Sequence, residues 1–246
     1  MADPDTLSEP LARLLHELST IFGKRLQSVA TYGGNGEAEA LTGGSAGDAH
    51  DHVHTLAVVD AIDVSDLRAC ANQTKAWDRR RLATPLLMTA AELTRSLDAF
   101  PLELAAILAH RQIVFGTDVL SGLVVAPVDI RRACEVQARS HLLHLREGFI
   151  QAAAEPRALG AIIQASARPF RLLLESMARL EGVDVADGNR FAAHLETTVG
   201  VTPGVVRQVL AAGGPKGISA TDAQDLYPSY IGVVERLVQY VDAWQA

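Results

Sequence analysis

Residues 32–59 read YGGNGEAEALTGGSAGDAHDHVHTLAVV. The run QSVATY (27–32) enters this stretch and HTLAVVD (54–60) leaves it. Both are short, apolar and bounded by turn residues, the signature of strands. Between them lie six of the chain's 19 glycines, at positions 33 to 47, which marks a specialised or mobile loop. Gly33-Gly34 supplies a turn without a Cβ penalty, and the backbone N–H groups of such a turn are suited to a phosphate. GGSAG at 43–47 lacks the Lys-Ser/Thr of a P-loop. At the far end, His50, His52 and His54 alternate. On extended backbone they share one face.

Working outward, the preceding segment is a helix. Ser8 is placed as N-cap, Pro10 falls in the first turn, and Leu11, Leu14, Leu15, Leu18, Phe22 and Leu26 recur at helical spacing. After the second strand, SDLRACANQTKAWDRR reads as one helix from Ser65, and LATPLLMT as a strand. Thr89 and Glu92 form a capping box that opens another helix. PLELAAIL and RQIVFG read as short strands. Alternating helices and strands predict a mixed α/β domain over residues 1–126.

From Pro127 the pattern changes. Ile130, Cys134, Ala138, His141, Leu142, Leu145 and Phe149 line one face of a long helix, and a second follows Pro156 with Pro169 kinking it. No strand is expected beyond this point. Residues 127–246 read as an all-α helical bundle domain.

The order strand, Gly-Gly, connection, strand resembles the nucleotidyltransferase superfamily that shares its fold with DNA polymerase β. SVATYGG matches that family's first strand and turn, HVHTLAVV stands where its second strand should be, and FPLELAAI looks like the later strand that supplies a third carboxylate. RQIVFGTDVLSGL is similar to a run that often follows, and a helical C-terminal domain is a common partner. The resemblance implies transfer of a nucleoside monophosphate from a triphosphate to a hydroxyl. It gives Gly33 and Gly34 to the nucleotide and the third-carboxylate place to Glu103.

The departure lies at the metal site. Where the family has Asp-x-Asp, this chain has His52-Val53-His54. Mg²⁺ or Mn²⁺ would be the cofactor of an active nucleotidyltransferase, and such hard cations prefer oxygen ligands. Imidazoles suit Zn²⁺ or another transition metal instead, making His50, His52 and His54 candidate ligands. Asp48 and Asp51 are three apart and fall on opposite faces of a strand. Three functions therefore stay open: a degenerate nucleotidyltransferase-fold protein binding a nucleotide or a partner, an active enzyme using Asp48, Asp51 or Glu103, or a transition-metal protein.

Bulk composition limits these readings. A net charge of −7 argues against general nucleic-acid binding, although Arg132, Arg139 and Arg146 share one helix face where an anion would fit. MADPDTLSEP lacks the basic and apolar parts of a targeting signal, no apolar run is long enough for a membrane span, and the two cysteines read as buried thiols. The expectation is a cytoplasmic protein with a nucleoside triphosphate as candidate ligand, no membrane partner, and room for an oligomer.

Overall fold

A computed structural model describes residues 7–32, 52–181, 188–201 and 204–244. The chain divides into two compact units, Met1–Ala126 and Pro127–Ala246.

The first unit is mixed α/β. Helix α1 (Glu9–Phe22) buries Leu11, Leu14, Leu15, Leu18 and Phe22, a stripe at 3.6-residue spacing. Pro10 lies in its first turn as expected, while the Ser8 hydroxyl makes no capping bond. Gly23, at φ +55°, breaks the helix, so Leu26 opens strand β1 (Leu26–Tyr32) instead of extending the helical stripe. Strand β2 (His54–Val59) runs antiparallel to β1, with Val29 opposite Ala57 and Tyr32 opposite His54.

Helices α2 (Val64–Ala71) and α3 (Thr74–Arg79) then lead to β3 (Leu86–Thr89), α4 (Ala90–Arg95), α5 (Pro101–His110) and β4 (Gln112–Gly116). The sheet order is β3-β2-β1-β4, with β3 parallel to β2 and β4 antiparallel to β1. All six residues of β2 are buried. Its Ala57 and Val59 join Val29, Val114 and Trp77 in the core formed with the α1 stripe.

Two further local readings of the sequence differ from the structure. The stretch 65–80 is two helices, and the first is capped by Asp63, not Ser65. The Asp63 carboxylate accepts from the Asp66 amide, and the Asp66 carboxylate accepts from the Asp63 amide. Asp66 also takes a bidentate pair of bonds from Arg25, each 2.7 Å, and this holds its carboxyl down at about 2. That long-range pair fixes where α2 begins, and local spacing does not reveal it. PLELAAIL, in turn, is the helix α5 and not a strand. A short, nearly unbroken apolar run has no period to separate the two states. Pro101 in the first turn and the Leu/Ala-rich composition favour the helix.

From Pro127 on, every element among the described residues is a helix: α6 (Pro127–Gln151), α7 (Pro156–Leu180), α8 (Gly188–Thr198), α9 (Val205–Ala212) and α10 (Ala220–Ala243). Helices α6, α7 and α10 pack on one another. Their interface buries Ala138, Leu142 and Leu145 of α6, Phe170 and Leu174 of α7, and Tyr227, Tyr230 and Val234 of α10. Pro169 lies inside α7, as anticipated, and Pro228 inside α10. Both cysteines are buried and form no disulfide. Among the described residues no helix is long and apolar enough to cross a membrane.

Gly116 closes the β1–β4 pairing at φ +75°, and a Cβ there would lie 1.9 Å from the Gln27 carbonyl oxygen. Gly122 has a similar φ of +80° with nothing within 4 Å of such a Cβ. In urea denaturation, Gly116→Ala is expected to cost about 3 kcal/mol or more, because strain and backbone collision add. Gly122→Ala should cost only about 1 kcal/mol, the left-handed penalty alone.

Candidate functional site

The chain leaves the sheet at Tyr32 and rejoins it at His54, the residue paired directly across from Tyr32. Gly33, Gly34 and His50, with Asp48 and Asp51, lie outside the described residues. Gly33 follows Tyr32 in sequence, so the glycine pair begins one residue from the strand end that faces His54.

His52 and His54 are both described. Val53 lies between them and is bridged in parallel to Leu82: its amide donates to the Arg81 carbonyl at 2.8 Å, and its own carbonyl accepts from the Ala83 amide at 3.0 Å. This bridge extends the sheet edge one residue before β2. Val53 is 43% exposed, whereas His54 is buried at 7%. The His54 ring lies 6.0 Å from the Tyr32 ring, and burial pushes the Tyr32 phenol up to about 12. The His52 side chain is 16% exposed, with Nε2 3.3 Å from an Asp78 carboxylate oxygen. Its Nδ1 is buried without a hydrogen-bond partner. Asp78 lies in the last turn of α3, and no spacing in the sequence pointed to it as a neighbour of His52.

The strand beside β2 brings no carboxylate. Leu86, Leu87, Met88 and Thr89 of β3 lie opposite Leu56, Ala57, Val58 and Val59. Glu103, expected on a strand near the third-carboxylate place, instead stands half-buried in the first turn of α5. Several other described acids of the first unit have structural partners. Glu17 accepts from the Trp77 indole at 2.7 Å and from Arg80 at 2.8 Å, and Glu92 completes the Thr89 capping box read from the sequence. Among the described residues no group of three or more His, Cys, Asp or Glu is placed to hold a metal ion. Of the three candidate ligands the described residues hold two, His52 and His54, and an open zinc site uses three protein ligands.

A cavity of about 360 Å³ opens elsewhere in this unit, lined by Leu67, Cys70, Trp77, Pro85 and Leu87 among others. Cys70, Trp77 and Leu87 belong to the core shared with Ala57 and Val59. Side chains alternate along β2, so His54 faces the other way. Burial pushes the Cys70 thiol up, away from thiolate character.

The arginine row of α6 is cross-braced. Arg139 reaches Glu135 at 3.1 Å and both Asp242 oxygens at 2.6 Å, and Arg146 reaches Glu235 at 2.7 Å. Only Arg132 of the three is mostly exposed, 3.8 Å from Asp129. The heptad spacing was legible, but the α10 acids, about 100 positions away in sequence, were not.

No protein-family model matches the chain, and a search of curated proteins returns no match.

A double-mutant cycle on Arg139→Ala and Asp242→Ala should give only a small favourable coupling, because both partners are about half exposed. Raising the salt to about 0.5 M should shrink it. A coupling that does not respond to salt would contradict this account of the pair.

Proposed function

We propose that the first unit is a nucleotidyltransferase-like domain without the metal-binding carboxylates, which binds a nucleoside triphosphate or a partner and does not catalyse transfer efficiently. One observation carries this reading. Two imidazoles, His52 and His54, stand at the entry to β2, and neither β2 nor the adjacent β3 holds an acidic residue. Support also comes from the order of elements, with β1 antiparallel to β2 and Gly33-Gly34 following β1 directly.

Phosphoryl transfer requires a hard cation that bridges the phosphates and neutralises developing charge. Mg²⁺ or Mn²⁺ would be the fitting ion for this fold, and it binds through carboxylate and water oxygens. The described residues at the β2 entry do not fit it. A glycine turn needs no metal to donate backbone N–H groups to phosphate oxygens, so ground-state binding survives the loss of the acids.

The second reading, a transition-metal site, rests on His52. A ligating imidazole usually sets its other ring nitrogen against a carboxylate, as Nε2 of His52 does with Asp78, leaving Nδ1 for a metal.

Calorimetric titration of the metal-stripped protein with the four nucleoside triphosphates tests both, in chelator and in Mg²⁺, Mn²⁺ or Zn²⁺. It should be repeated on His52→Ala and His52→Ala/His54→Ala, with pyrophosphate release assayed in parallel. The expected result is triphosphate binding that is nearly the same in Mg²⁺ and in chelator, survives His52→Ala, and releases no pyrophosphate. Mg²⁺-dependent pyrophosphate release would restore an active enzyme and overturn the proposal. Binding seen only in Zn²⁺ and lost with His52 would favour the metal reading, and silence throughout would sink both ligand hypotheses.

A further inference from the structure

The cavity of about 360 Å³ in the first unit lies between α2 and α3 on one side and the chain entering β3 on the other. Leu67, Cys70, Thr74 and the Trp77 ring form the first wall, and Pro85, Leu86 and Leu87 the second. No charged residue lines it. The hydrogen-bonding groups of the walls are spent elsewhere, the Trp77 indole on Glu17 at 2.7 Å and the Thr74 hydroxyl on the Ala71 carbonyl at 2.9 Å. Cys70 is a free, buried thiol, a weak hydrogen-bonding group. Thr84, also in the lining, is exposed and answers to water. At the mouth Leu67 is 49% exposed, and Val64, one turn earlier on α2, is 62% exposed.

The walls are held by bonds that do not depend on what lies between them. Arg25 and the Asp63–Asp66 capping box fix α2, Glu17 holds the Trp77 ring, and the parallel ladder to β2 fixes Leu86 and Leu87. The space is therefore preformed. A water molecule inside it needs about two to four polar partners, which the inner walls do not offer. Left empty, the space costs its lining the dispersion contacts on one side. An apolar cavity of about 150 Å³ stays dry and takes up benzene, so this one has room for a molecule roughly twice that size. A nucleoside triphosphate does not suit it, because its charges would meet no cation here.

We propose that this cavity is a binding site for an uncharged apolar small molecule, about the size of a fused two-ring hydrocarbon, seated against the Trp77 ring between α2 and β3. The site is separate from the β2 entry. Leu87 of its wall lies opposite Ala57, whose side chain is on the face of β2 away from His54.

Naphthalene, an uncharged two-ring probe, tests this on the isotope-labelled full chain, with naphthalene disulfonate as its charged counterpart. The chain has two tryptophans, so the indole N–H resonances of Trp77 and Trp244 report separately and are assigned with Trp244→Phe. Naphthalene should shift the Trp77 resonance saturably and leave Trp244 unmoved, and the disulfonate should shift neither. Ala71→Phe adds a ring at an exposed lining position and should weaken naphthalene binding about tenfold or more by taking the space. If that variant does not fold, Thr74→Leu fills the same space from α3. The proposal is overturned by any of three results: no saturable Trp77 shift up to the solubility of naphthalene, an equal response to the disulfonate, or undiminished binding in the filled variant. Sedimentation velocity distinguishes the other occupant. A dimer that naphthalene dissociates would make the cavity an interface between copies and overturn the proposal, whereas a sedimentation coefficient that naphthalene leaves unchanged agrees with it.

Discussion

The antiparallel pairing of β1 with β2 is the constraint on which the first unit depends. β2 is a central strand, buried on both faces, and its register sends Ala57 and Val59 toward α1 and the alternate residues, His54 among them, to the opposite face. A slip of one residue would exchange the two sets and drive His54 into the aliphatic core against Leu14 and Leu18. In the observed register His54 instead lies against the Tyr32 ring, and exchanging that polar neighbour for an all-aliphatic one disfavours the slip. Through the register it also pins the direction in which the β2 entry presents its histidines. The site and the core are thus two consequences of one alignment.

What the sequence made legible follows from period and punctuation. The α1 stripe, the Thr89–Glu92 capping box, β1, β2, β3 and β4 were all readable, because each carries either a strict apolar spacing or a turn residue at its edge. The misreadings share a cause. α5 is too short and too uniformly apolar to show a period, and the start of α2 depends on Asp63 and on Asp66 held by Arg25, which is 41 positions distant from it. At the site, His52 and His54 were visible as alternating residues. Asp78 beside His52 was not, because the Val53–Leu82 bridge that brings them together is made by backbone and carries no side-chain signature.

The charges of the chain show how far a motif differs from a function. Three arginines spaced by seven looked ready for an anion, yet two of them bind acids of α10. Likewise Arg79 donates to the Lys75 carbonyl within its own helix and Arg80 binds Glu17, so DRRR at 78–81 serves helix ending and core polar satisfaction. A net charge of −7 and this internal pairing act in the same direction, leaving little uncompensated positive field on these two elements.

The same test applied to the β2 entry gives a different answer. Glu17, Asp66, Glu92 and the α6 arginines have partners that account for them as structural groups. Among the described residues Nδ1 of His52 has none, although it is buried. A buried polar atom without a partner costs roughly 1–3 kcal/mol, and the fold tolerates that cost beside the strand end from which Gly33-Gly34 departs. Thr55 Oγ1 and Arg111 Nε share that state among the described residues, and His52 differs from them in standing at the strand entry with its other ring nitrogen 3.3 Å from Asp78.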